Sequence, residues 1–131
     1  MFTDITRTRS LYFLITITIT MLALTLVGCK SKEVRQKQLD EVVNNIFSIG
    51  TFAQNYRVSP DTLKGGNGSF EGCQIPDSML STVNAIYEIT VISRDTLLIT
   101  GRSKHDSRDF VTVTRDSSGT MSRWTYGGVF Q

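Results

Sequence analysis

Between Leu11 and Cys29 nineteen consecutive residues carry no charge, and no other stretch of the chain limits its fate as strongly. As a helix this run would be roughly 28 Å long at about 1.5 Å per residue, close to a hydrocarbon core of about 30 Å. The alternation of Ile and Thr from Ile15 to Thr20 suits a strand, but Met21, Leu22, Ala23 and Leu24 continue the run without alternating. Threonine hydroxyls can bond a carbonyl one turn back, so a helix in lipid tolerates them. With Asp4, Arg7 and Arg9 ahead of it, the run reads as membrane-directed. Setting aside everything before Cys29 leaves 103 residues, which is room for one modest domain and excludes a two-domain enzyme. The expected organisation is a signal or membrane anchor over residues 1–29 and one folded domain over 30–131. A formal net charge of +2, with basic and acidic residues interspersed, gives no reason to expect nucleic-acid binding.

The end of the run, Leu26-Val27-Gly28-Cys29, resembles the lipobox of bacterial lipoproteins. That resemblance implies cleavage before Cys29 and diacylglycerol on its sulfur, which makes Cys29 the candidate lipid-attachment residue. The other reading is an uncleaved single-pass anchor. Lys30, Lys32 and Arg35 follow the run as closely as Arg7 and Arg9 precede it, so charge bias orients it only weakly. Either way the lipid bilayer is a partner, through residues 11–29 or through acylated Cys29, and the domain lies outside the cytoplasm. Cys73 is then expected as a single thiol with no disulfide to Cys29. One His and two Cys lying 44 positions apart form neither a zinc site nor a short-spaced redox pair, and no cofactor or metal is expected.

From Ser31 to Tyr56 the period becomes 3.6. Leu39, Val42, Val43, Ile46, Ile49, Gly50 and Ala53 share a stripe, with Phe47 and Phe52 at its edges. Pro60 stops this amphipathic helix by removing a donor and restricting Ser59. A glycine-rich loop follows, expected to be pinned by Leu63, Phe70 and Ile75, and Pro76 opens one helical turn. Beyond it the period is two. Strands are predicted over Ala85–Ile92 and Thr96–Thr100, turning at Ser93-Arg94-Asp95, then over Phe110–Arg115 and Met121–Tyr126, turning at Asp116–Gly119. Gly101 to Asp109 reads as an exposed loop. The fold class is therefore α+β, with a long amphipathic helix packed on an antiparallel sheet of about four strands. One sheet face should bury Tyr87, Ile89, Val91, Val111, Val113 and Trp124 against the helical stripe.

Few residues invite chemistry. His105 with Asp106 and Asp109, and Ser103 or Ser107 beside them, are crowded into one polar segment, whereas a triad needs its base oriented by a buried acid. Asp61, Glu71 and Asp77 flank the glycine loop without the spacing of a helix-loop-helix calcium site. The loop is not a phosphate loop, because Lys64 precedes the glycines and no strand leads in. Asn67-Gly68-Ser69 matches a glycosylation triplet in form only. No enzymatic activity is expected.

Ala53-Gln-Asn-Tyr-Arg57, Pro60, the run Gly65-Gly66-Asn67-Gly68-Ser69-Phe70-Glu71-Gly72 and then Ile75-Pro76 occur here in order. In these features, across most of residues 32 to 115, the chain resembles small pilin-like membrane proteins of Bacteroidota and Chlorobi-type bacteria. These are related to type IV pilins and pseudopilins, in which a hydrophobic helix continues into an amphipathic one packed on a small antiparallel sheet. The resemblance implies a membrane-attached structural or assembly subunit of the bacterial envelope, partnered by itself or by related pilin-like subunits in a filament or secretion-related assembly. Gly65, Gly66, Asn67 and Gly68 are then the candidate partner-facing loop. Ser10-Leu11-Tyr12-Phe13-Leu14-Ile15 supplies neither the Gly-Phe processing site nor the early Glu of filament-forming pilins. The alternative function is a periplasmic lipoprotein module that binds a small ligand or peptidoglycan.

Overall fold

The computed structural model describes residues 32–131. The chain divides into two compact units, Met1–Gln36 and Lys37–Gln131. The expected membrane run and Cys29 lie outside the described residues; of the first unit, 32–36 are described and are helical and exposed. Among the described residues no helix is long and apolar enough to cross a membrane.

Helix α1 covers 32–58, two residues beyond its predicted end. Its apolar stripe is what the 3.6 period requires: Val42, Ile46, Ile49 and Ala53 are buried in the core, with Leu39 and Phe52 packed at its margin. The sheet is an antiparallel meander in the order β1 (Ala85–Ser93), β2 (Thr96–Ser103), β3 (Phe110–Asp116) and β4 (Met121–Gly127). The α+β architecture of one long helix on four antiparallel strands is thus as the sequence predicts.

Three rows of side chains cross the helix-facing side of the sheet. Tyr87 lies beside Gly101, Val111 and Tyr126; Ile89 beside Ile99 and Val113; and Val91 beside Leu97, Arg115 and Met121. The first row explains why Gly101 belongs to β2 and is buried rather than opening an exposed loop. A Cβ at Gly101 would stand 2.8 Å from Val42 Cγ1 and 3.0 Å from Tyr87 Cε1, so the missing side chain is what lets the tyrosine ring lie beneath the helix. Gly101→Val is expected to lower stability by about 1–3 kcal/mol through overpacking, measured by urea denaturation. An unchanged midpoint would mean that the helix and ring do not meet there.

A bulge sets the last strand. Thr112 pairs with Thr125 and Thr114 with Ser122, which leaves Arg123 and Trp124 together opposite Val113. Arg123 takes φ 54°, the left-handed geometry that accommodates the extra residue. In a regular strand without the bulge, strict alternation would put Met121 on one face and Trp124 and Tyr126 on the other; with the bulge all three pack against the core. Trp124 is only partly buried, with its ring 5.4 Å from that of Phe47, which stays 48 % exposed at the seam between α1 and β4. After β4 a 3-10 turn over Gly128–Phe130 tucks Phe130 into the core. The Val129 N–H donates to the buried Asp109 carboxylate at 2.9 Å, so Asp109 anchors this turn instead of lying in an exposed loop.

Candidate functional site

The glycine loop closes the end of α1. The last carbonyls of a helix have no partner within it, and here the loop supplies donors. The Gly66 N–H donates to Tyr56 O at 2.7 Å, the Gly68 N–H to Arg57 O at 2.7 Å and the Asn67 N–H to Ser59 O at 3.0 Å. Ser69 N–H returns to Gly66 O at 3.0 Å, and Phe70 N–H reaches Arg94 O in the β1–β2 turn at 2.8 Å. Tyr56 completes the seal, its hydroxyl donating to Glu71 O at 2.8 Å. The loop is therefore bound to the helix on one side and to the hairpin on the other.

Its four candidate partner-facing residues separate into two kinds. Gly65 and Gly66 are half-buried, and a Cβ on Gly66 would fall on the Ser69 carbonyl and stand 2.8 Å from the Tyr56 ring. Asn67 and Gly68 are exposed with φ 47° and 88°, and a Cβ on Gly68 would meet nothing within 4 Å. The outward surface is thus the Asn67-Gly68 tip. Phe70 pins the loop in the core and Ile75 is buried as expected, but Leu63 does not pin it, being 74 % exposed. The short turn Asp61–Leu63 holds Leu63 outward, where it borders a shallow groove of about 290 Å³ with Phe52, Tyr56, Lys64 and Gly65.

Arg57 braces the same region, and its reach across the chain was not legible in the spacing. Its guanidinium lies 5.7 Å over the Phe70 ring and pairs with Asp95 at 2.8 Å, while its side chain is only 17 % exposed. The largely covered Arg57 side chain, lying over Phe70 and paired with the exposed Asp95, ties the loop, the helix end and the β1–β2 turn together.

The polar segment around His105 does not assemble a triad. His105 Nε2 lies 3.5 Å from Asn84 Oδ1, and Asn84 in turn donates to Glu41 Oε2 at 2.6 Å. Ser103 Oγ accepts the His105 backbone N–H at 3.1 Å, Asp106 is paired with Arg108 at 2.7 Å, and Asp109 holds Val129. The Arg108 guanidinium holds the Asp106 carboxyl down at about 2. Each candidate acid thus has a structural partner other than the imidazole. Among the described residues Asp61, Glu71 and Asp77 form no metal-binding group of three.

Cys73 is a buried free thiol, and burial pushes it up to about 11, which keeps it in the unreactive protonated form at neutral pH. Alkylation of the native protein by iodoacetamide at pH 7.5 is therefore expected to run at least about a hundredfold slower at Cys73 than in denaturant. Equal rates would contradict its burial. Compared with models of protein families, with curated proteins and with solved structures, the chain matches none.

Proposed function

We propose that this chain is a membrane-attached, non-enzymatic subunit of a bacterial envelope assembly. Residues 11–29 or an acylated Cys29 would tether a pilin-like helix-and-sheet domain outside the cytoplasm. The observation that carries this reading is the use made of the glycine loop. A loop whose composition could cradle a ligand directs the N–H groups of Gly66 and Gly68 to the last-turn carbonyls of α1 at Tyr56 and Arg57, and that of Asn67 to Ser59 O just beyond it, which is the work of a scaffold. The resemblance in the Tyr56-Arg57, Pro60, glycine-run and Ile75-Pro76 order supports the same reading, as does the long helix lying on a four-strand meander. Subunits of the same kind are the proposed partners, meeting at the exposed Asn67-Gly68 tip of the loop and along the seam where Phe47 stands half-exposed beside Trp124.

Two measurements on the full chain test the reading. Membrane fractionation with intact-mass analysis should recover the protein with membranes. A mature chain beginning at Cys29 with added lipid mass would identify the lipoprotein form, and retained residues 1–28 the anchored form. A photo-crosslinking residue in place of Phe47 should then yield adducts between copies or with related subunits. Recovery in the cytosol would refute the tether, and a strictly monomeric membrane protein would refute the assembly.

A further inference from the structure

The third helix-facing row of the sheet places a cation, Arg115, between Leu97 and Met121. Its side chain runs under α1: a Cβ on Gly50 would stand 3.0 Å from Nη1, and one on Gly119 3.4 Å from Nη2. The guanidinium thus bridges the seam between the helix and the β3–β4 hairpin. Its Nε is buried with no hydrogen-bond partner. The neighbouring Asp116 acts on it through space, while Asp116 Oδ1 accepts from the Ser118 N–H, the Ser118 hydroxyl and the Thr120 N–H. Burial draws the guanidinium below its ordinary value, with Asp116 opposing the shift.

Arg115 is not the only unsatisfied group in this seam. Arg57 Nε is also buried without a partner, and so is Gln54 Oε1. Arg57 Nη1 and Gln54 Nε2 both reach toward Ser117 O at 3.5 Å, the limit of a hydrogen bond. Two guanidinium groups therefore converge on one hairpin, and only Arg57 has an ion pair, with Asp95. The seam thus leaves two guanidinium Nε donors unpaired against one acceptor, Gln54 Oε1, so its donors are in excess. A guanidinium with an unfilled fork is complementary to an oxyanion, which it can grip through two parallel N–H bonds.

We propose that the seam between the last turns of α1 and the β3–β4 hairpin takes a single oxyanion, a phosphate or carboxylate group. Arg115 holds its charge, and Arg57 and Gln54 stand at the rim. A cation on the covered face of a sheet is a costly way to fill space, since an apolar side chain of similar length packs there without desolvating a charge. Anion binding gives Arg115 a role that packing does not.

The test uses the full chain in detergent micelles, with the arginine Nε–Hε signals followed by NMR. Sodium phosphate and sodium acetate are titrated separately against sodium chloride at matched ionic strength. Phosphate, acetate or both should shift the Arg115 and Arg57 signals saturably, and the more effective anion distinguishes a phosphate group from a carboxylate as the source. Arg115→Met should weaken the response at Arg57 at least about tenfold while leaving the melting temperature unchanged or raised. Arg115→Lys, which keeps the charge and loses the fork, should bind severalfold more weakly than the native chain and provides the comparison if the Met variant fails to fold. Linear shifts no larger than those in chloride, or full-strength binding by either variant, would overturn the proposal.

Discussion

Ile46→Asp is expected to remove most of the domain's stability, because Ile46 is 0 % exposed in the centre of the α1 stripe. The substitution takes apolar volume out of the contact with the sheet and brings in a carboxyl with no partner. The cavity and the buried polar group together cost about 3–5 kcal/mol or more, against a total of about 5–15 kcal/mol for a typical domain. The deficit should carry its own pH signature. Burial raises the pKa of the introduced carboxyl in the folded state above its unfolded value of about 3.9. The native state of the variant then binds more protons than the unfolded state, so the penalty is smallest below the unfolded value and grows as pH rises through the folded one. Urea midpoints relative to the native chain should differ more at pH 7 than at pH 4. Ile46→Asn, polar but not titratable, should show a deficit without that trend. A native-like melt for Ile46→Asp would mean that the helical stripe does not face the sheet.

How legible such positions are depends on whether a period records them. The stripe through Val42, Ile46, Ile49 and Ala53 is written at 3.6 residues, and the alternation from Ala85 to Val91 at two, so the helix, the first strand and their contact are readable. Departures from a period are not. Arg123 looks like an ordinary exposed strand residue, yet its left-handed geometry is what keeps Met121 on the same face as Trp124 and Tyr126. Gly101 has the composition of a loop residue, and only the Tyr87 ring beside it and Val42 above it reveal why glycine is needed there. Leu63 shows the opposite failure: an apolar residue in a glycine-rich loop suggests an anchor, but the turn from Pro60 directs it outward. Of the candidate site, the loop's order and its Phe70 anchor are readable. The exchange of backbone bonds with Tyr56, Arg57 and Ser59 is not, because an N–H leaves no mark in the sequence. Arg115 escapes notice for a related reason, since a charge at the end of a strand is usually solvated and only the register shows it turned toward the helix.

Two glycines two positions apart, Gly66 and Gly68, separate the loop's structural work from its outward surface. Gly66→Ala is expected to destabilise the domain by about 2–4 kcal/mol. The new methyl would fall on the Ser69 carbonyl and crowd the Tyr56 ring, and relieving that overlap breaks the 2.7 Å bond that closes the helix end at Tyr56 O. Gly68→Ala meets nothing within 4 Å, so it bears only the cost of a side chain at φ 88°, about 1–2 kcal/mol. Denaturation of the two variants should therefore rank Gly66→Ala well below Gly68→Ala. Crosslinking between copies should respond differently. A large side chain at the exposed tip, as in Asn67→Trp, should change contacts with a partner that touches the loop, at a stability cost of about 1–2 kcal/mol for a bulky residue at φ 47°, smaller than that of Gly66→Ala. Comparable stability losses for Gly66→Ala and Gly68→Ala would mean that the loop does not close the helix as described. A stable Asn67→Trp variant with unaltered crosslinks would place the partner elsewhere, leaving the Phe47 and Trp124 seam to carry the contact.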